Sequence, residues 1–457
     1  TYEYASRYLA EFNMGYNGTE NFAKGKRFGF FPAVSLGWVI SEEKFFPKNN
    51  IVKYLKVRGS YGEVGNDQIG GDRFLYLPSS YGAASDSGVN KYNFGLASNP
   101  YTSLMIVENK IGNPDLTWEK AKKMNVGVDI NLFNNCLTAS FDIFKEKRNN
   151  ILANRSTSPM IIGANLPAYN FGEMENRGWE MDLNFRHHIQ DFHYWARFNY
   201  SFARNEIIYM DEVQKRYDYQ MTTGRRKNQF FGLIFDGYYN SWEEINALDR
   251  PKSSWSGNQL QPGDVKYIDV NQDGVIDDYD MVPIGYTPVP EIIYGFSFGA
   301  QYKGFDFSIL FQGADNVSIK YFGRSMWPFA KGEESAKSLI KERWTQERYE
   351  AGEKITFPRL SLNPNGETDH NYRPSTLWIR DASYLRLKNL EVGYTFTGGF
   401  VKRLNLNSVR LYFNGSNLFT WTDVVDLDPE APSRSGNVEI NTYPLQKVYN
   451  IGLNINF

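Results

Sequence analysis

The chain has 457 residues and a formal net charge of −2, so no global field draws it to nucleic acid or to an anionic surface. Aromatic residues make up 16%, with 31 Tyr and 33 Phe, yet the mean hydropathy is −0.52, a mixture that fits sheets with one apolar and one wet face better than a soluble α/β core. Cys136 alone excludes an internal disulfide, and no run of about 18 apolar residues offers a transmembrane helix.

From Thr1 the sequence is strand-like, with no signal-peptide pattern, which reads as a processed chain or a fragment. Alternation then dominates. Met124, Val126, Val128, Ile130 and Leu132 alternate with Asn125, Gly127, Asp129 and Asn131. Past Asn134-Asn135 the pattern resumes with Leu137, Ala139, Phe141 and Ile143. It returns in Trp179–Phe185, in Phe192–Phe202, and in Ile292–Tyr302, which a Lys303-Gly304 turn joins to Phe305–Phe311. The spacing predicts about twelve strands of roughly 10–14 residues, where ordinary strands average about 5–6. Their centres fall near Asn13, Ser35, Arg58, Val128, Phe141, Leu183, Phe198, Ser297, Ile309, Lys388, Phe413 and Gly452.

Short connections near 42–50, 134–135, 189–191, 303–304 and 397–406 alternate with long ones near 65–120, 206–291, 316–382 and 420–446. Short turns at one end and long loops at the other predict a transmembrane antiparallel β-barrel, all-β, with long extracellular loops. A soluble sandwich or propeller would have shorter strands and more even turns. The last segment alternates Tyr449, Ile451, Leu453, Ile455 and Phe457 with Asn450, Gly452, Asn454 and Asn456, a pattern for a strand that closes a barrel by pairing with the first.

One loop carries a ligand-like spacing. Asp269, Asn271, Asp273, Val275 (through its carbonyl), Asp277 and Asp280 occupy positions one, three, five, seven, nine and twelve of an EF-hand-type loop, with Gly274 at the sharp turn. The competing reading is a solvated acidic turn. The favoured expectation is a structural Ca²⁺, with Mg²⁺ the alternative because Asp280 is shorter than the usual Glu. Catalytic patterns are weak. His187, His188 and His193 cluster at a predicted short turn and His370 stands alone, with no metalloprotease spacing or phosphate loop. The loop tryptophans Trp242, Trp255, Trp327, Trp344, Trp378 and Trp421 suit ligand stacking and loop cores equally. Glu333–Glu350 is the one helix candidate, capped by Ser335 and turning Leu339, Arg343 and Trp344 inward.

Several strings resemble the SusC/RagA family of TonB-dependent transporters from Bacteroidetes. They are Asn113–Glu119 (NPDLTWE), Glu175–Glu180 (ENRGWE), Pro262–Tyr267 (PGDVKY) leading into the acidic loop and Ile284-Gly285, Arg343-Trp344-Thr345, Pro358-Arg359, Ser383–Leu390 (SYLRLKNL) and Asn417–Thr420 (NLFT). Gln272 stands where the family usually has Gly, which leaves the ligand spacing intact. The resemblance implies a plugged barrel of 22 strands, of which about twelve are seen here; residues 1–457 are then its C-terminal part, without the plug and the N-terminal strands. It further implies a bacterial outer-membrane location, no enzymatic activity, and import of an oligosaccharide or oligopeptide under a SusD-like lipoprotein lid. TonB–ExbB–ExbD would act through the missing N-terminal part, and two transporter–lipoprotein pairs would associate. A surface binding or adhesion barrel without transport is the alternative, and a surface hydrolase stands well behind both.

Overall fold

An extended chain turns successive side chains to opposite faces, so a long alternating segment carries its own instruction for a two-sided sheet. The computed structural model describes the chain except residues 71–72, 78–79, 84–90, 97, 99–100, 158–165, 256–259, 322–326, 330–337, 362–368, 426, 431–436 and 439–444. Its twelve long strands are β1 (Tyr8–Gly18), β2 (Phe28–Val39), β3 (Val52–Asn66), β4 (Glu119–Leu132), β5 (Leu137–Ala153), β6 (Tyr169–Ile189), β7 (Phe192–Tyr209), β8 (Ile292–Tyr302), β9 (Phe305–Asp315), β10 (Tyr384–Phe396), β11 (Ser408–Thr422) and β12 (Val448–Asn456). They form one antiparallel meander in chain order, and a short strand at Tyr2–Tyr4 completes a 13-stranded sheet. All twelve expected segments are strands. Those at β5, β6 and β7 run to 17, 21 and 18 residues, longer than the alternation predicts.

Register sorts the faces. Phe198↔Phe296, Phe298↔Ile309 and Phe413↔Ile451 meet on one side, while Asn199↔Gly295, Gly299↔Ser308 and Asn414↔Asn450 meet on the other. The apolar face is uncovered by protein: Phe296 is 41% exposed and Ile451 80%. An apolar sheet face of this extent is stable only against hydrocarbon. Among the described residues no helix is long and apolar enough to cross a membrane, so strands do the crossing.

Two-residue hairpins at Gln190-Asp191 and Lys303-Gly304 lie at one end, and the long segments 67–118, 210–291, 316–383 and 423–447 all lie at the other. Gly304 adopts φ 90°, a left-handed conformation that an L side chain resists. Its added Cβ would also lie 2.7 Å from the Thr395 carbonyl oxygen. One expectation is not met within this chain. β12 pairs with β11, the first and last strands are not neighbours, and the sheet stays open.

The buried core lies in the loops rather than in the sheet. Leu233, Val265, Tyr267 and Ile276 from segment 210–291 pack with Tyr321, Trp344, Phe357 and Trp378 from segment 316–383 and with Val424 from segment 423–447. The single helix expected over Glu333–Glu350 does not form. Its start lies outside the described residues, and the rest is a 3₁₀ turn at Ser338–Glu342 followed by a short helix at Gln346–Glu350. Trp344 breaks it: its backbone N–H bonds the Phe357 carbonyl at 2.8 Å, its ring enters the core, and Thr345 then caps the new helix.

Candidate functional site: the inner wall and the loop cap

The inner face of the sheet is polar, and its charges are paired across strands. On β3 the Arg58 guanidinium reaches Asp129 on β4 at 3.1 Å and Asp142 on β5 at 2.6 Å, and Ser140 donates to Asp129 at 2.9 Å. Arg58, Gly127 and Asp142 stand in register on these three strands. Gly127 is needed there: a Cβ would lie 2.6 Å from Asp142 Oδ1 and 2.7 Å from Arg58 Cζ. A second cluster repeats the device. Arg410 on β11 bonds Asp306 on β9 at 3.0 Å and Glu391 on β10 at 2.5 Å, above Gly393. Each arginine is held between two carboxylates on neighbouring strands, a hydrated, polar surface of the kind found on the inner side of transmembrane barrels.

Above this wall the loops are fixed to it by one buried cation. Arg386 on β10 is 2% exposed and donates to Asp428 at 2.7 Å, Glu430 at 2.6 Å and Thr420 at 2.9 Å. Tyr384 also donates to Glu430, at 2.6 Å, and Lys388 lies 3.3 Å from it. Burial alone would raise the Asp428 pKa, but the hydrogen bonds from Arg386 and from the Glu430 and Leu445 amides outweigh it and hold the carboxyl below the usual range. A second latch joins Glu291 to Arg204 at 2.8 Å, to Arg226 and to Asn316 at 3.2 Å, tying the roots of two long loops to β7.

Inside the cap, His370 is buried. Its Nε2 lies 2.7 Å from the Val265 carbonyl, which only accepts, so the proton sits on Nε2; Nδ1 then accepts from the Ser253 hydroxyl at 2.9 Å. Burial pushes its pKa below the ordinary histidine value. Asn371 alongside donates to Asp264 at 2.8 Å and accepts from the Val265 amide at 3.0 Å, and Arg359 pairs with Asp264 at 2.6 Å. The other three histidines sit exposed around the 190–191 hairpin. Of the six tryptophans expected in loops, Trp327, Trp344 and Trp378 fill the core, Trp255 leans on it, Trp242 is exposed, and Trp421 stands instead on β11, exposed opposite Leu385. Arg386, Glu291 and the histidine network are the parts that local periodicity does not flag, because each depends on partners dozens of residues away.

The acidic loop folds upon itself. Asp269 accepts from the Gln272 and Gly274 amides at 2.7 and 2.8 Å, Asn271 from the Asp273 amide at 2.9 Å, and Asp273 from the Val275 amide at 3.0 Å. Asp277 caps a 3₁₀ turn at Asp278–Asp280, with Asp280 reaching back to the Asp277 amide at 2.9 Å. Asp280 is fully buried, and its oxygens also take the Val270 amide at 2.8 Å. Burial raises its pKa. Gln272 and Gly274 both adopt positive φ, which lets the backbone turn its N–H groups inward. The spacing expected of an EF-hand-type loop is therefore brought into one turn. Among the described residues no three His, Cys, Asp or Glu side chains converge as a metal cage.

A continuous antiparallel meander with an uncovered apolar outer face, a charged inner face and all its long loops at one end is the wall of an outer-membrane β-barrel. The chain belongs to the TonB dependent receptor-like, beta-barrel family, whose model matches residues 1–418, and it is accordingly an outer-membrane protein. It is 28% identical over 475 residues to TonB-dependent receptor P3 of Formosa agariphila and 28% identical over 462 residues to TonB-dependent receptor SusC of Bacteroides thetaiotaomicron, covering all of this chain in each case. It covers 44% and 43% of those proteins, so the chain spans less than half the length of the curated relatives it matches. Its fold also matches the RagAB peptide transporter at a TM-score of 0.73 and 23% identity, over 99% of this chain and 46% of that one.

Proposed function

We propose that this chain forms the wall and the extracellular cap of a TonB-dependent importer for a large nutrient, an oligosaccharide or oligopeptide, working under a SusD-like surface lipoprotein. One observation carries the reading. Three long loops share a single buried core and are bolted to an inner wall of paired charge, which is the geometry of a rigid receiving vestibule over a hydrated passage. An uptake assay tests it: a strain lacking the gene should fail to grow on the large glycan or peptide that the wild type consumes, and unchanged growth on every such nutrient refutes it.

The reading extends to the acidic loop, where a Ca²⁺ or Mg²⁺ held by Asp269, Asn271, Asp273, the Val275 carbonyl and Asp277 would act as a structural staple, with Asp280 supporting the backbone from behind. What supports it is that each carboxylate oxygen accepting one amide retains a second lone pair, in a segment whose positive-φ turns already gather the donors. On this reading, chelation with EDTA accelerates proteolysis within 210–291, and an unchanged cleavage rate removes the staple.

A further inference from the structure

The outer face of β5, β6 and β7 changes character at one level. Ile143, Trp179 and Phe202 stand in register as the last apolar row. Trp179 stacks on Tyr200 at 4.7 Å and 15° and lies 5.9 Å from Phe141, an aromatic girdle of the kind that marks a membrane–water boundary. The next outward row is Lys145, Arg177 and Arg204, again directly opposite one another.

Three cations side by side across adjacent strands repel, and a sheet with only structural needs avoids them. The acids that moderate them lie in the row above or at the loop root: Glu175 is 2.9 Å from Lys145, Glu206 is 3.8 Å from Arg177, and Glu291 is 2.8 Å from Arg204. No carboxylate stands in the apolar row below. The side chains of Lys145 and Arg177 are 53% and 61% exposed, and exposed pairs of this kind contribute little. Lys145 and Arg177 therefore present their membrane-side edge free of acidic neighbours, one row above the aromatic girdle, whereas the paired donors of Arg204 are taken by Glu291 at 2.9 and 2.8 Å.

We propose that Lys145 and Arg177, with the charge of the Glu291-bound Arg204 beside them, form a docking site for the phosphate groups of outer-leaflet lipid headgroups, fixing this side of the barrel at its depth in the membrane. Guanidinium groups suit phosphate because their paired N–H donors match its oxygens. The row's position on the outward, long-loop side is independent of whether nutrient is imported, so failure of the uptake reading leaves it standing.

The test uses the full outer-membrane protein purified from its native membrane, with Lys145→Gln/Arg177→Gln as the variant. Arg204 is left intact because it holds Glu291. Phosphorylated lipid retained per protein is counted by native mass spectrometry. Rebinding is then measured with phosphatidylcholine vesicles containing or lacking a bisphosphorylated glucosamine lipid. With about a fivefold loss per cation removed at the surface, the double variant should bind that lipid about thirtyfold more weakly, while inner-wall Lys56→Gln is unaffected. Single Arg177→Gln, checked for intact folding by its heat-modifiable mobility, keeps the test valid if the double variant does not assemble. Equal lipid retention in wild type and variant overturns the proposal. So does competition by inorganic phosphate at equal concentration, which would mark a free-anion site, and so does a variant that loses only self-association, which would mark an interface between copies.

Discussion

Replacing Arg386 with alanine removes the buried cation that joins the cap to the wall. Asp428 would keep the amides of Glu430 and Leu445, and Glu430 would keep Tyr384 and Lys388, so the loss is concentrated on an Asp428 carboxylate left without its counter-charge. Breaking a buried pair by removing one partner costs about 3–5 kcal/mol, and the surviving partners place this case at about 3. That cost falls on loop attachment rather than on the sheet, whose hydrogen bonds do not involve Arg386's side chain. About 3 kcal/mol corresponds to a rise of about 150-fold in the open population of the attached loop. Hydrogen exchange on peptides covering 423–430 in the outer-membrane protein reads this directly, with β4 to β6 peptides as the internal control. Unchanged exchange at 423–430 would show that the latch is idle. Simultaneous loss of protection across all strands would show that Arg386 supports the barrel itself.

Because burial depresses the His370 pKa, the histidine contributes stability that is complete above about pH 6.5 and is lost as pH falls below that through its folded value. Proteolysis of the cap should therefore accelerate as pH falls below about 6.5 while strand protection holds; a flat cap profile below that pH would show that the imidazole is indifferent. Ile309→Arg, on the outward face, should cost about 2–4 kcal/mol near the bilayer midplane, and inward Ser308→Arg less than about 1, by denaturant unfolding in vesicles; equal costs would contradict the register. Gly127→Ala should cost about 1–3 kcal/mol, because its Cβ collides with Arg58 and Asp142, and a neutral result would mean that the Arg58 cluster is free to shift.

The wall was legible in the sequence because its information is local: each strand announces itself through alternate residues, and Met124–Leu132 or Phe305–Phe311 needs no distant partner to be read. The extra length of β5 to β7 escaped that reading because their upper halves exchange apolar for charged outward residues, such as Lys145 and Lys147, and so lose the hydropathy contrast while keeping the pairing. The cap was not legible. Leu233, Phe357 and Val424 have no shared period, and their contact exists only after three strand pairs bring their loops together. The expected helix failed for the same reason, since Trp344 gains more from that shared core than from continuing the turn. The acidic loop lay between these extremes: its spacing predicted an EF-hand-type loop with a sharp turn at Gly274, and that turn forms, with amides bonded to the side-chain oxygens of Asp269, Asn271 and Asp273.

A core assembled from three separate loops also constrains how such a protein diversifies. Exchanging one loop for a relative's would leave Trp378 or Tyr321 facing a mismatched neighbour, so new ligand preferences arise more readily by substitution at the exposed rim, or by inheritance of all three segments as a block, than by shuffling them singly.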